Sequence, residues 1–165
     1  MSDHLRRRFG KWAQSGVPKT GWHCLSMDDL GEPGHVCEMC EQQDVRYVHF
    51  LKHSGYPNVL GVGCVCAEYM EEDSKGPKQR ERALRNRARR RARWLKRKWK
   101  VSREANLCLT TAGYHVDVCP KGAGWSFTVA SDDAEPHHHA GTFSTLDQAK
   151  LAAFDFIWPP LAPMA

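Results

Sequence analysis

The sequence predicts an α+β protein in which a small cysteine-rich finger is followed by a long basic helix and a β-β-β-α module. Three observations predict this class: two cysteine pairs that flank a hairpin pattern, a dense run of basic residues at helical spacing, and two alternating segments around a glycine-rich turn ahead of an amphipathic helix. The chain accordingly divides into an irregular leader over 1–36, the finger over 37–73, the basic helix over 77–101 and the β-β-β-α module over 106–165.

The composition is that of a soluble protein. The chain has 165 residues, of which 41% are hydrophobic, and its mean hydropathy is −0.59. No apolar run approaches the ~20 residues of a membrane span, and the basic stretch 1–11 lacks the apolar core of a secretory signal. We therefore expect a cytoplasmic, reducing location, in which the seven cysteines are metal ligands or free thiols rather than disulfides.

The leader is interrupted repeatedly by residues that break regular structure. Pro18, Gly21, Gly31, Pro33 and Gly34 recur at short intervals. Because such residues mark turns and loops, we expect no long strand or helix in this section.

The finger places two cysteine pairs at the two ends of a hairpin pattern. Cys37 and Cys40 have the two-residue spacing with which both thiolates reach one zinc ion. After 23 intervening residues, Cys64 and Cys66 stand where a helix is predicted to begin, and a helix N-terminus favours thiolates. The order is therefore a zinc knuckle at Cys37 and Cys40, a hairpin over residues 45–62 and a ligand pair at a helix N-terminus. This is the layout of a treble-clef zinc finger.

We predict a closed, structural zinc site, because four protein ligands complete a tetrahedral shell. The ion would chiefly fold a section whose own core is too small. The single residue between the second pair is an unusual spacing, so His49 or His53 could replace Cys64 as the fourth ligand. The predicted ligands are Cys37, Cys40, Cys64 and Cys66.

Residues 21–73 resemble a class of small, uncharacterised zinc-finger proteins from bacteria and phages. The shared features are the Cys37-x-x-Cys40 knuckle, the segment Arg46-Tyr-Val-His49 and the turn Val62-Gly-Cys-Val-Cys-Ala67 that enters a helix. The resemblance implies a treble-clef-like fold. It supports Cys37, Cys40 and Cys66 best as ligands, since proteins of this class often lack a cysteine at the position of Cys64. It implies no activity.

The basic segment 75–103 holds 15 of the 24 Lys and Arg residues and one acidic residue, Glu81. Its net charge is +14, so the rest of the chain sums to −9 within an overall formal charge of +5. Pro77 suits the first turn of a helix, because its missing N–H needs no partner there. We predict that the helix packs through one apolar stripe made of Leu84, Ala88, Ala92, Leu95 and Trp99.

A segment this basic predicts a polyanionic partner, and we favour nucleic acid, either DNA or RNA. Arginine side chains displace counterions at phosphates and form bidentate hydrogen bonds with phosphate or guanine. Trp94 could also stack on an unpaired base. The predicted contact residues are Arg82, Arg85, Arg89, Arg90, Arg91, Arg93, Lys96, Arg97, Lys98 and Lys100.

Two other interpretations of the basic helix stay open. Its arginines could pair with acidic residues of the same chain. Alternatively, the helix could dock on an acidic protein surface, as in an interaction or inhibitor protein of a mobile element. Phosphate binding should weaken linearly in the logarithm of the salt concentration, whereas a packed protein interface should depend more on Leu95 and Trp99.

The last section predicts a hairpin, a third strand and a capped helix. Residues 114–119 and 125–129 alternate between apolar and polar side chains on either side of a glycine-rich turn. Residues 137–143 are the predicted third strand. Thr145 and Gln148 have the spacing of a capping box at the start of a helix that we expect to run to about Ile157.

The chain contains no phosphate-binding glycine loop, nucleophile elbow or HExxH pair. The nearest catalytic alternative is a nuclease of the His-metal finger type, with His49, His53 and Asn58 as reacting groups. The Asp-His pair that such a site needs ahead of a helix-borne histidine is missing. We therefore predict a binding protein rather than an enzyme, with no membrane and no small-molecule substrate among its partners.

Overall fold

The computed structural model describes residues 8–160 and confirms a mixed α+β fold. The described residues form two compact units, residues 8–86 and Arg87–Pro160. Neither unit contains a helix that is both long and apolar enough to span a membrane.

The first unit is built on strands β1 (His23–Asp29), β2 (His35–Val36), β3 (Asp44–Val45), β4 (Tyr47–Lys52) and β5 (Leu60–Val62). Three of these strands form an antiparallel sheet in the order β1-β4-β5, and β2 pairs with β3 as a separate ribbon. The predicted hairpin between the cysteine pairs is confirmed, since β4 and β5 pair antiparallel with Leu51 opposite Leu60. A helix, α1 (Cys64–Met70), follows β5 directly.

The leader is more ordered than its Gly and Pro content predicts. The seven-residue strand β1 lies against β4, and both Val17 and Trp22 are buried in the core of the first unit. A register shift between Cys24 and Ser26 explains why the sequence shows no alternation there. Because the shift inserts one residue, Cys24 and Met27 both face the interior although they are three residues apart.

The basic helix is shorter than predicted. It forms α2 (Gly76–Trp94) and does not extend to residue 101. Trp94 is buried at 2% exposure, and its indole N–H donates to the carbonyl of Lys150 at 2.6 Å. After this anchor the chain turns and enters β6 (Lys100–Val101), where Lys100 pairs with Cys108.

The face of α2 that is shielded from solvent also differs from the predicted stripe. Ala88 and Ala92 are exposed, and Leu84 is half-buried. The shielded positions recur at three- and four-residue spacing and include charged residues: Pro77, Arg80, Leu84, Arg87, Arg91 and Trp94. Arg87 and Arg91 are therefore shielded in place of the neighbouring Ala88 and Ala92, because acidic side chains of the protein pair with their guanidinium groups.

The second unit has five strands where three were predicted. β7 (Leu107–Thr111), β8 (Tyr114–Lys121), β9 (Gly124–Ser131) and β10 (Ala134–His138) complete an antiparallel sheet in the order β10-β9-β8-β7-β6. The predicted β8–β9 hairpin is confirmed, with Lys121 opposite Gly124. The β7–β8 hairpin was missed because its turn, Ala112-Gly113, has positive φ at both residues (49° and 77°), a conformation that alanine rarely signals.

The helix α3 (Leu146–Ile157) covers this sheet and confirms the predicted capping box. Gln148 N–H donates to Thr145 Oγ1, and Thr145 N–H donates to Gln148 Oε1, each at 3.2 Å. The core beneath it is aromatic and aliphatic, and contains no cysteine: Trp94, Leu109, Val116, Val118, Phe127, Val129, Ala149, Ala153, Phe154 and Ile157.

Candidate metal centre and basic surface

Three of the four predicted ligands meet in the first unit. The Sγ atoms of Cys37, Cys40 and Cys66 all lie within 4.8 Å of one another, and all three residues are buried. The turn between β2 and β3 supplies the first two thiols, and the first turn of α1 supplies the third. The arrangement is compatible with a metal site, because three cysteine sulfur atoms at this spacing can bind one ion.

Hydrogen bonds prepare one member of this group as a thiolate. The pKa of Cys37 is lowered to about 5, chiefly by a hydrogen bond from the Cys66 thiol. Burial acts in the opposite direction, and hydrogen bonds from the backbone N–H groups of Cys40, Gly63 and Met39 lower the pKa further. Gly63 N–H donates to Cys37 Sγ at 3.4 Å. The same contact with Cys37, followed by burial, raises the pKa of Cys66, whose sulfur accepts a hydrogen bond from the Trp12 indole at 3.4 Å. One negative charge is therefore already stabilised at this centre near neutral pH.

Cys64 lies in a different group. Its Sγ is within 4.8 Å of His49 and of the Glu81 carboxylate, and no fourth Cys, His, Asp or Glu of residues 8–160 joins the three-cysteine group at this distance. Burial, followed by the charges of Glu81 and Glu68, raises the pKa of Cys64 to about 12. His53 belongs to neither group of possible ligands, and its Nδ1 already accepts a hydrogen bond from the Gly55 N–H at 2.9 Å.

A cavity of about 230 Å³ connects the two cysteine groups. Its walls include all four predicted ligands, together with Tyr47 and Glu81: Cys37, Cys40, Cys64 and Cys66. A ligand or water molecule in this cavity could therefore reach an ion held by the three-cysteine group.

His49 is the most unusual polar residue of the first unit. It lies in β4 with no exposed surface, and neither Nδ1 nor Nε2 has a hydrogen-bond partner among the described residues. Burial, with a smaller contribution from the charge of Arg80, lowers the pKa of His49 to about 4. The ring is consequently neutral at pH 7, with one nitrogen lone pair and one N–H group unused.

The basic residues fall into two classes according to their partners. Arg87 Nη2 and Arg91 Nη2 bind the Asp155 carboxylate at 2.5 Å and 3.1 Å. Arg85 pairs with Glu81 at 2.6 Å. Among the predicted contact residues, Arg85 and Arg91 are therefore already engaged in ion pairs within the protein. Arg97 donates to Thr111 Oγ1 at 3.1 Å.

The remaining arginines of α2 face solvent. Arg82, Arg89 and Arg93 are exposed, and no described residue forms a side-chain hydrogen bond or ion pair with them. Lys96, Lys98 and Lys100 are likewise exposed. Between residues 87 and 103 the chain carries ten basic residues and no acidic one, and only Arg87 and Arg91 among them form ion pairs within the described residues. The second unit therefore contains most of the basic side chains of this segment that lack an acidic partner.

The second unit also places arginines beside aromatic rings. A cavity of about 330 Å³ is lined by Arg90, Arg93, Arg97, Phe154 and Trp158, among others. The guanidinium carbon of Arg90 lies 5.6 Å from the ring centre of Trp158, which is half-buried. Trp94, the residue expected to stack on a base, lines the same cavity but is itself buried and bonded to Lys150. Sequence patterns did not indicate a role for Trp158 here, because it lies 64 residues beyond Trp94 and follows α3.

Comparison of the chain with protein-family models, with curated proteins and with solved structures found no match.

Proposed function

We propose that this protein binds nucleic acid through the solvent-facing arginines of α2 and the basic residues that follow it, with a zinc ion at the three-cysteine group as a structural scaffold. The observation that carries the proposal is the division of the arginines into two classes. Arg87 and Arg91 are held by Asp155, whereas Arg89 and Arg93 lie one helical turn apart without a partner.

Unpartnered arginines suit phosphate better than they suit a folded core. Each guanidinium offers five donors in a rigid fork, and a phosphate oxygen pair matches that geometry. Two such groups at i and i+4 are about 6 Å apart along the helix, which is close to the phosphate spacing of a nucleic-acid strand. Counterion release then supplies the free energy of binding without a need for base-specific contacts.

The cavity beside Trp158 favours single-stranded nucleic acid over a duplex. Bases can stack on an aromatic ring only when they are unpaired, and guanidinium planes next to the ring add a stacking surface. Arg90, Arg93 and Arg97 line a cavity together with such a ring in the second unit, and Arg90 lies 5.6 Å from the ring centre. We infer that a phosphate lies against Arg93 while a neighbouring base contacts the Trp158 side of the cavity.

Zinc is the ion that the three-cysteine group suits best. Thiolate ligands select soft or borderline metals, and the tetrahedral preference of zinc matches three clustered sulfurs plus one further ligand. The Cys37 thiolate would be one of these ligands, and the ion would displace the proton that Cys66 shares with it.

The test is fluorescence anisotropy of the nucleic-acid-stripped protein with a labelled 20-nucleotide single strand, the matching duplex and an RNA hairpin. The double variant R89Q/R93Q is compared with K52Q/K121Q, which removes the same charge at exposed lysines outside the basic segment. We expect R89Q/R93Q to flatten the plot of log K against log salt by roughly 1.4 to 1.8, and the control to leave it unchanged. Equal effects of the two variants would contradict the assignment.

A further inference from the structure

A second set of metal-ligating side chains lies in the first unit, apart from the three-cysteine group. His49, Cys64 and Glu81 bring one imidazole nitrogen, one sulfur and one carboxylate oxygen within 4.8 Å of one another. They come from three separate elements: β4, the start of α1, and α2. Such convergence of three donor types from distant parts of the chain is not produced by a local turn.

His49 supplies an independent reason to expect a ligand here. A buried ring nitrogen without a hydrogen bond destabilises the folded state, so native proteins rarely leave one unpaired. Both ring nitrogens of His49 are in this condition, and the side chain is completely buried. A neutral imidazole can use one lone pair only toward a proton donor or a metal ion.

We propose that His49, Cys64 and Glu81 bind a second divalent transition-metal ion, with zinc the best match to a mixed nitrogen, sulfur and oxygen set. This site is distinct from the three-cysteine group and does not depend on nucleic-acid binding. Its Cys64 and Glu81 line the cavity of about 230 Å³, from which water could supply a fourth ligand.

Two carboxylates, Glu68 and Glu81, lie beside the proposed site, and the basic side chains that pair with them are exposed: Lys78 at 2.7 Å and Arg85 at 2.6 Å. The Cys64 sulfur lies 3.6 Å from Glu68 Oε1, so two carboxylates stand close to the thiol. The alternative group of Cys24, His49 and Glu71 differs in one respect, because the basic partner of Glu71 is the shielded Arg80, whose Nε is buried without a hydrogen-bond partner among the described residues. A metal ion there would face a guanidinium held inside the protein, whereas the exposed Lys78 and Arg85 can move into solvent.

The group of Cys24, His49 and Glu71 can provide a hydrogen-bond acceptor for the other ring nitrogen of His49. Metal-bound histidines usually donate their other N–H to a carboxylate, which fixes the tautomer and orients the ring. Glu71 lies within 4.8 Å of a His49 nitrogen and is itself oriented by Arg80. We therefore assign one nitrogen of His49 to the ion and the other to the Glu71 side.

The first test is the zinc content per chain, measured by mass spectrometry of metals after dialysis against zinc-buffered solution. We expect C64S/E81Q to hold one zinc ion fewer than the wild type, and C119S, a cysteine-matched control in the second unit that belongs to no group of possible ligands among the described residues, to lose none. An unchanged zinc content in C64S/E81Q, or the same loss in C119S, would overturn the assignment.

The second test needs no variant, so it holds even if C64S/E81Q fails to fold. The ring ¹⁵N chemical shifts of His49 in the wild-type protein are followed as zinc is added to the metal-free chain. We expect one His49 nitrogen to move to the metal-bound range at the second equivalent. Shifts that stay at the values of a free neutral ring would contradict the proposal. This result would also reveal the case in which C64S/E81Q loses zinc only because Cys64 is a ligand of the three-cysteine group.

Discussion

The buried clusters of the two units are built from different types of side chain. In the first unit, four of the twelve residues of the main buried cluster are cysteines, and a fully buried histidine lies nearby with both ring nitrogens unpaired. In the second unit the buried cluster contains no cysteine and is centred on aromatic residues such as Trp94 and Phe154. The interior of the first unit thus offers sulfur and nitrogen atoms that could bind a metal ion, whereas the interior of the second is packed from aromatic and aliphatic side chains, with Trp99 Nε1 as a buried polar atom that has no partner among the described residues.

Metal removal should give the largest difference between the units. Structural zinc contributes on the order of 10 kcal/mol to small fingers, which is comparable to the whole stability of a domain. We expect a strong chelator, or C37S, to unfold the first unit alone. The measurement is the pair of indole N–H signals in an NMR spectrum: Trp22, which donates to Pro18, should collapse, and Trp94 should persist. A Trp22 signal that survives chelation would contradict this prediction.

The substitution W94A should have the opposite effect, since it should destabilise the second unit and leave the first unit folded. Removing a buried tryptophan leaves a cavity and removes the indole hydrogen bond to the Lys150 carbonyl, so we expect a loss of about 3 to 5 kcal/mol in the second unit. Urea denaturation followed by the fluorescence of the remaining tryptophans measures the loss. Zinc content should not change, since Trp94 belongs to the second buried cluster. A loss below 1 kcal/mol would show that the tryptophan is not the anchor of this unit.

A smaller effect is expected for D155N, which tests the division between paired and unpaired arginines. Arg91 and Asp155 are partly exposed, so the loss in stability should be about 1 kcal/mol or less. Arg91 would then be released, and Arg87 would keep, of its hydrogen bonds, only the one to the Trp158 carbonyl at 2.9 Å, while the carboxylate charge is removed. We therefore expect tighter binding of a single strand in the anisotropy assay. Weaker binding by a folded D155N protein would mean that the ion pairs position the binding surface rather than withhold two arginines from it.

The smallest expected effect concerns pH and the Asp29–Arg46 pair of the first unit. Hydrogen bonds from Arg46 at 2.6 Å and 2.9 Å lower the pKa of Asp29. Because the folded-state pKa lies below the unfolded one, this stability is present above about pH 4 and is lost as pH falls through the folded pKa. The melting temperature of the wild type should exceed that of D29N at pH 6, by a small margin for a partly exposed pair, and the margin should shrink toward pH 3. A constant margin would exclude the carboxylate charge as its cause.

Local patterns predicted the parts of each unit that depend on near neighbours. The β4–β5 and β8–β9 hairpins and the Thr145 capping box follow from alternation and from a three-residue spacing. Strand β1 escaped prediction because a bulge breaks its alternation, and β7 because its turn uses alanine at positive φ. These are cases in which pairing with a neighbouring strand outweighs the local signal.

The candidate sites were predictable to the extent that spacing alone determines them. The Cys37-x-x-Cys40 spacing located two members of the three-cysteine group, and Cys66 was named with them. The separation of Cys64 from that group was not visible, since one intervening residue turns the two side chains to different faces at the start of a helix. Nor could the sequence show that Asp155 holds Arg87 and Arg91 from 68 and 64 residues away.

The most direct test of nucleic-acid binding is the salt dependence of the wild-type affinity for a single strand, measured by anisotropy between 50 and 300 mM salt on stripped, zinc-loaded protein. Seven of the predicted contact residues are exposed and belong to the second unit: Arg89, Arg90, Arg93, Lys96, Arg97, Lys98 and Lys100. If four or five of them contact phosphates, log K should fall with a slope of roughly −3. Binding that is absent at 50 mM salt, or that shows no slope, would contradict the proposed function.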